Sequence, residues 1–221
     1  MSPSSPESLL RELVRDLRPV RRVPSMALSL AAVVGLAAGV GWVVFQVDGV
    51  RPDLGYAIRS NLVFAGVLIG LALAALGGAA AGLAGGVPGR QAMLRAAGSV
   101  AVAGLSGAVL LASLALGSVG SQTWSPVSTD FDCFWRALLF ACLPTLAMVA
   151  FLVRAWVSHP MRAAVATLIG GVALGAVVAH LSCPYAFSGA RHVLVGHTSV
   201  ALAALLVGTL PLAALLRRMS Q

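Results

Sequence analysis

The sequence predicts an all-α membrane protein, in which a bundle of six transmembrane helices follows a short amphipathic N-terminal cytosolic helix. Composition is the first observation: 59% of the 221 residues are hydrophobic, only 10% are charged, and the mean hydropathy is +0.94. Soluble domains carry about 25% charged residues. This chain therefore has too few polar side chains to cover a water-exposed surface, which excludes soluble enzymes, secreted disulfide scaffolds and disordered tails.

Six apolar stretches without a charged side chain are the second observation. A helix needs roughly 20 apolar residues to cross the hydrocarbon layer of a bilayer. The stretches that meet or approach this length are 26–47, 62–87, 96–118, 137–153, 163–179 and 198–216. The fourth and fifth are short, and we expect flanking residues such as Phe134, Trp135 and His180 to extend them. The spans divide the chain into a cytosolic tail, 1–25, and a transmembrane domain, 26–218.

The arginines are the third observation, and they predict the orientation. All 15 basic residues are arginine, and 11 of them lie in the tails and the second and fourth loops, against four in the other loops. Cytoplasmic segments collect positive charge, so we expect both termini in the cytoplasm of a multi-pass inner-membrane protein. Because most of the +8 net charge serves topology, direct binding of nucleic acid is not expected.

The N-terminal tail contains the one amphipathic segment. Ser5 and Pro6 favour a helix start, and Pro19 ends it. An apolar stripe at helical spacing comprises Leu9, Leu10, Leu13, Val14 and Leu17, and Arg11 and Arg15 fall mostly on the other side. A free helix of this length is marginal in water. The stripe therefore needs a partner, which is either the bilayer surface or a groove on a cytosolic protein.

The predicted spans contain no ionisable residue of the kind that marks a transport pathway or a proton relay. The seven acidic residues are all expected in tails or loops, and no catalytic motif occurs in the chain. We therefore predict no enzyme, no catalytic residue and no cofactor. A small membrane permease or transporter component is the alternative from another functional class, and the uncharged interior of the spans counts against it.

Two of the three cysteines are expected on the outer side, with Cys133 at the start of span 4 and Cys183 after span 5. They can form a structural disulfide, remain idle thiols, or act as a redox or metal sensor, because His180, His192 and His197 are near in sequence. Their spacing matches no standard zinc pattern. The sequence therefore predicts no metal site.

Short motifs along nearly the whole chain resemble a known family. They are Leu17-Arg18-Pro19-Val20-Arg21-Arg22 before span 1, Arg51-Pro52-Asp53-Leu54 after it, Cys133 before span 4 and Cys183-Pro184 after span 5. The chain resembles the six-helix inner-membrane anti-sigma factors of the NrsF type, and also the membrane anti-sigma factors of carotenoid regulons.

The resemblance implies that the tail holds an extracytoplasmic-function sigma factor at the membrane until a stress signal, such as light or oxidative stress, releases it. The apolar stripe would then be the contact for the sigma factor, with Arg11, Arg15 and Arg18 as its polar surround, and Cys133 and Cys183 would be the sensor. The tail lacks the zinc-binding His/Cys set of single-span relatives, so arginines of the cytoplasmic loops are expected to complete the site.

Overall fold

The computed structural model describes Glu7 and residues 25–51, 53–116, 127–155, 157–183 and 189–219. Within these ranges the chain is helical, and six helices are long and apolar enough to cross a membrane. The prediction of an all-α bundle of six membrane-spanning helices is confirmed. The tail segment that was predicted to form an amphipathic helix lies outside the described residues, apart from Glu7.

The helices are labelled in chain order. They are α1 (Met26–Val47), α2 (Leu54–Ser60), α3 (Leu62–Gly85), α4 (Gln91–Leu116), α5 (Val127–Leu152), α6 (Pro160–Ser182) and α7 (Ala190–Met219), of which α2 alone is too short to span. Local sequence sets several starts: the Ser25 side chain caps α1 by accepting from Leu28 N, and Asn61 Oδ1 caps α3 by accepting from Phe64 N. Pro160 occupies the first turn of α6, where its missing N–H costs nothing.

The observed helices differ from the predicted spans mainly at their ends. Helix α5 begins at Val127 and α7 at Ala190, ten and eight residues before the predicted starts of those spans. These first turns contain polar and charged residues, so the hydropathy of the sequence placed the start of each span after them. They are nevertheless helical because they pack against neighbouring helices. Helix α3 ends at Gly85, two residues before the predicted end of its span, and Gly86 caps it.

Glycines bring α3 into contact with two neighbours. A Cβ on Gly78 would meet the backbone of Gly170 in α6, and a Cβ on Gly70 would lie 2.7 Å from the Gly104 carbonyl oxygen in α4. Lipid supplies no hydrophobic drive for association, so close backbone packing of this kind holds such bundles together. Gly35 and Gly39 in α1 do not pack in this way, because nothing lies within 4 Å of a Cβ at either position among the described residues.

The bundle has two chemically different ends. At one, Met26, Val87, Val153 and Leu216 belong to one apolar cluster, and we call this the arginine end. Its exposed cations are Arg90, Arg95, Arg154, Arg162, Arg217 and Arg218, and none of the described acidic residues is near them in the chain.

At the opposite end, Leu54, Cys133, Cys183 and Val193 share a second apolar cluster, and we call this the cysteine end. It carries four arginines and four aspartates: Arg51, Arg59, Arg136, Arg191, Asp48, Asp53, Asp130 and Asp132. Its formal charge therefore balances, whereas the arginine end is strongly positive.

Candidate functional site

Four buried side chains that can ligate a metal meet at the cysteine end. Cys133 lies in the second turn of α5, Cys183 caps the end of α6, and His192 and His197 lie in α7. One ligand atom from each residue can be chosen so that all four lie within 4.8 Å of one another. Three helices that are distant in sequence thus converge on a site about the size of one coordination sphere. We call these residues the Cys/His cluster.

The two thiols of the cluster are in contact but not bonded. Sγ of Cys133 lies 3.3 Å from Sγ of Cys183, and both cysteines are free and buried. A disulfide would bring the sulfurs to about 2.05 Å, so closing the bond requires a shift of little more than 1 Å. The hydrogen bond with Cys133, followed by that with His192, lowers the pKa of the Cys183 thiol and favours its reactive thiolate form.

A π-helical segment, Val193–Thr198, places both histidines on the cluster. Residues five apart on an α-helix differ by about 140° in direction, since each residue turns it by about 100°. A π-turn instead joins residues five apart. His192 and His197 therefore face the same side, with their ring centroids 5.1 Å apart.

Asp130 contacts the cluster through His192. Its carboxylate accepts a hydrogen bond from Nδ1 of His192 at 2.7 Å and pairs with Arg191 at 3.1 Å. The other nitrogen of the same ring, Nε2, lies 3.1 Å from Sγ of Cys183. The expectation that every acidic residue lies in a tail or loop is wrong for Asp130 and Asp132, which both lie in α5. Asp132 is exposed, whereas Asp130, in the first turn, is only 2% exposed. The first turns of α5 are polar, so hydropathy did not mark them as helix.

Two buried histidines of this end have nitrogens that remain unsatisfied. Nδ1 and Nε2 of His197 and Nδ1 of His180 have no hydrogen-bond partner among the described residues. His180 stacks on Phe64 with ring centroids 4.4 Å apart, and its Nε2 lies 3.3 Å from the Phe64 carbonyl oxygen. Both rings are fully buried, and an unpaired buried polar atom is costly. The two ring nitrogens of His197 therefore lack a hydrogen-bond partner among the described residues, although the ring lies at the cluster.

The Arg51-Pro52-Asp53-Leu54 motif fixes the position of Cys183. Arg51 is 7% exposed, forms a bidentate pair with Asp53 at 2.7 and 2.8 Å, and donates from Nη1 to the Cys183 carbonyl oxygen at 3.3 Å. The guanidinium also lies over the Phe64 ring, 5.4 Å from its centroid. The Arg51 hydrogen bonds lower the pKa of Asp53, so this clamp stays ionised.

A cavity of about 200 Å³ lies beside the two thiols. It is lined by both cysteines and by polar side chains, among them Asp132, Arg136 and Ser182. It has polar groups in its lining and is large enough to hold water. Small oxidants and ions therefore have a path to sulfur atoms that are otherwise buried.

The predicted sigma-factor contact cannot be placed on this framework. The eight residues of that prediction, Leu9, Leu10, Arg11, Leu13, Val14, Arg15, Leu17 and Arg18, lie outside the described residues. Of the predicted site residues, Cys133 and Cys183 are brought together. Cys142 is separate, because it is exposed and donates to the Leu138 carbonyl oxygen of its own helix.

Sequence reasoning missed the acidic and histidine part of the cluster. His192 and His197 were noted only as neighbours in sequence, and Asp130 was assigned to a loop. No spacing rule could have joined them, because the residues come from three helices and one pair depends on a π-turn. The available signal was weaker: three of the four histidines of the chain are His180, His192 and His197, and all follow or flank Cys183.

Comparison with known families identifies the chain. The family model described as NrsF, negative regulator of sigma F, matches residues 13–217. The chain belongs to the NrsF family. Among curated proteins and among solved structures, none matches it.

Membership in the NrsF family confirms the resemblance to anti-sigma factors of the NrsF type and indicates an anti-sigma role, with a sigma factor as partner. It supports a regulatory, non-enzymatic protein and favours that interpretation over a permease. The matched range starts within the N-terminal stripe, at Leu13, and includes every residue of the Cys/His cluster.

Proposed function

We propose that this protein is an anti-sigma factor of the bacterial inner membrane, which sequesters an extracytoplasmic-function sigma factor and releases it on a stress signal. The family match over residues 13–217 is the observation that carries the proposal. Light and oxidative stress are the signals proposed, with carotenoid synthesis as an output. The partners are then the sigma factor and the lipid bilayer, without direct contact to nucleic acid.

The charge difference between the two ends supports a cytoplasmic location of both termini. Six exposed arginines lie at the arginine end, where α1 begins and α7 ends, and the cysteine end has as many aspartates as arginines. Positive charge is retained on the cytoplasmic side of membrane proteins. In this orientation the Cys/His cluster faces the outside, where disulfides form.

The sigma factor is proposed to bind the N-terminal stripe, which precedes Ser25 and the start of α1 in the sequence. An amphipathic helix in a groove uses apolar anchors at helical spacing, as the leucines of the stripe provide. The exposed Arg90, Arg95 and Arg154 at the arginine end are available as a second, electrostatic contact. Rim charges of this kind mainly speed association.

The test of the stripe replaces two of its leucines by charge. Leu13→Asp with Leu17→Asp should abolish co-purification of the sigma factor with membranes, because two carboxylates cannot be buried in an apolar groove. The matched control is Ser5→Asp with Ser8→Asp, which adds the same charge outside the stripe and should retain the partner. Equal amounts of the variant and wild-type proteins in the membrane fraction exclude a folding defect. Retention of the sigma factor by the leucine variant would remove the stripe from the proposal.

The signal is proposed to be read by the thiols of Cys133 and Cys183. Hydrogen peroxide oxidises the pair to a disulfide: the Cys183 thiolate attacks one peroxide oxygen, the resulting sulfenic acid condenses with the Cys133 thiol, and two waters leave. The starting separation of 3.3 Å and the adjacent cavity both support this reaction. The new bond ties the start of α5 to the end of α6 and shifts the packing of both helices.

The test of the sensor uses the third cysteine as its control. With Cys133→Ser and Cys183→Ser together, peroxide should no longer induce transcription from a promoter that depends on the sigma factor. Cys142→Ser should leave induction unchanged, because this thiol is exposed on the other side of α5 and does not contact the pair. Normal induction in the double variant would assign the thiols a structural role only.

A further inference from the structure

We propose that Cys133, Cys183, His192 and His197 form a binding site for one tetrahedral d¹⁰ metal ion, Zn²⁺ or Cu⁺. The proposal goes beyond sequestration of a sigma factor and does not depend on it. Two thiolates and two imidazoles are a ligand set that both ions accept. The sequence predicted no such site, because its spacing rules apply to ligands that are close in the chain.

The size of the cluster fits one ion. Zinc–sulfur bonds of about 2.3 Å and zinc–nitrogen bonds of about 2.0–2.1 Å at tetrahedral angles separate the ligand atoms by roughly 3.3–3.8 Å. The sulfurs of Cys133 and Cys183 are 3.3 Å apart, and Sγ of Cys183 is 3.1 Å from Nε2 of His192. No pair in the cluster exceeds 4.8 Å. Binding therefore needs side-chain adjustments of about 1 Å and no movement of a helix.

The second coordination shell is also present. A metal-bound histidine usually donates its other N–H to a carboxylate, which fixes the ring and its tautomer. His192 does so with Asp130 at 2.7 Å, and this directs Nε2 toward the sulfurs. Any buried histidine needs an acceptor for this N–H, but here the bond also leaves Nε2 free of its proton and 3.1 Å from Sγ of Cys183, as a metal ligand requires.

His197 supplies an independent indication. Its ring is fully buried, and both of its nitrogens lack a hydrogen-bond partner among the described residues. Buried polar atoms are satisfied in the great majority of cases, and an exception requires an explanation. A metal ion at the cluster satisfies one of these nitrogens, because His197 already faces His192 on the π-helical segment.

The cavity of about 200 Å³ beside the thiols gives an ion a way in. Its polar lining includes the Asp132 carboxylate, which attracts cations, Arg136, whose charge is paired with Asp48, and Ser182, whose hydroxyl oxygen can replace water from a hydration shell. On binding, each thiol that is protonated loses its proton to water, and no electron transfer is required.

The decisive measurement uses the full-length protein purified in detergent under reducing, metal-free conditions. Zn²⁺ should bind at one equivalent per chain, and Co²⁺ in its place should give the intense visible bands of a tetrahedral thiolate site. A parallel anaerobic titration with Cu⁺, against a chromophoric Cu⁺ chelator, decides between the two ions. Stoichiometric binding of either ion supports the site, and failure of both to bind stoichiometrically overturns it.

Four single variants test the assignment of ligands. His197→Gln and Cys183→Ser should each weaken binding by at least 100-fold, whereas Cys142→Ser should leave it unchanged. Asp130→Asn, a positioning variant, should weaken binding about 10- to 100-fold, as loss of a carboxylate that orients a metal-bound histidine does. If either ligand variant is misfolded by circular dichroism, the Co²⁺ spectrum of the wild type decides: bands of two-thiolate, two-imidazole ligation support the site, and their absence overturns it. Wild-type affinity in a folded His197→Gln protein also overturns it.

These experiments need neither a sigma factor nor an oxidant. A protein that binds its sigma factor but no metal would refute the metal site alone. A protein that binds metal but no sigma factor would refute the proposed function alone.

Discussion

Asp130 offers the sharpest test of how the cysteine end is held together. Its carboxylate is 2% exposed and pairs with His192, which is fully buried, and with Arg191, whose side chain is 35% exposed. Asp130→Ala removes the contacts with both residues at once. The pair with Arg191 is screened by solvent and contributes little. The cost therefore comes mainly from His192, whose Nδ1 loses a charge-assisted acceptor inside the protein.

The magnitude follows from the two effects that the alanine introduces. A hydrogen bond to a charged group contributes about 1.5–3 kcal/mol, and a buried donor left without a partner costs about 1–3 kcal/mol. Both ranges describe the same lost contact and are not added, so we expect a loss of about 1.5–3 kcal/mol. This corresponds to a roughly 12- to 140-fold change in the unfolding equilibrium constant. Asp130→Asn should cost about half as much, since the amide oxygen still accepts from His192.

The assay is unfolding of the metal-free protein in mixed micelles by titration with sodium dodecyl sulfate, followed by the fluorescence of its four tryptophans. Asp132→Ala is the matched control, because this aspartate lies in the same part of α5 and is exposed. An exposed substitution changes stability by about 0.5 kcal/mol or less. Equal stability of the Asp130→Ala and Asp132→Ala proteins would refute the argument that the buried carboxylate holds α5 to α7.

Two further predictions concern packing and capping of the same bundle, and the same titration measures both. Gly170→Val should destabilise the protein by about 3 kcal/mol, because the new side chain meets the backbone of Gly78 and Ala79. Gly107→Val, with nothing within 4 Å, should cost well under half of that, and equal losses would refute the close crossing of α3 and α6. Asn61→Ala should cost about 1 kcal/mol by uncapping α3 at Phe64 N, and no loss relative to Ser113→Ala, whose hydroxyl bonds only its own helix, would refute the cap.

The six spans could be predicted because hydropathy is a property of contiguous residues. Each stretch of about 20 apolar residues must be a helix in a bilayer, whichever helix it packs against. The same rule failed at the ends of the spans. In residues 127–136, the polar first turns of α5 are helical because they pack against neighbouring helices. Asp130 was misplaced for this reason.

Glycines at four-residue spacing allow close packing but do not show where it occurs. Gly66 and Gly70 in α3 lie against α4, and a Cβ on Gly70 would meet the Gly104 backbone. Gly35 and Gly39 in α1 have the same spacing, but nothing lies within 4 Å of them among the described residues. Spacing shows that a helix can be approached closely, but only the arrangement of the whole bundle decides which helices meet.

The sequence by itself determined the class of this protein, the number of helices that are long and apolar enough to cross a membrane and, through short motifs, its family. These features depend on consecutive residues, such as apolar stretches and short motifs, or on the overall composition of the chain. Only the tertiary structure decided that Cys133, Cys183, His192 and His197 form one cluster with Asp130 behind it. The ligand atoms lie within 4.8 Å of one another but come from three helices that are distant in the sequence. A π-helical segment, which no sequence pattern predicted, brings the two histidines to the same side.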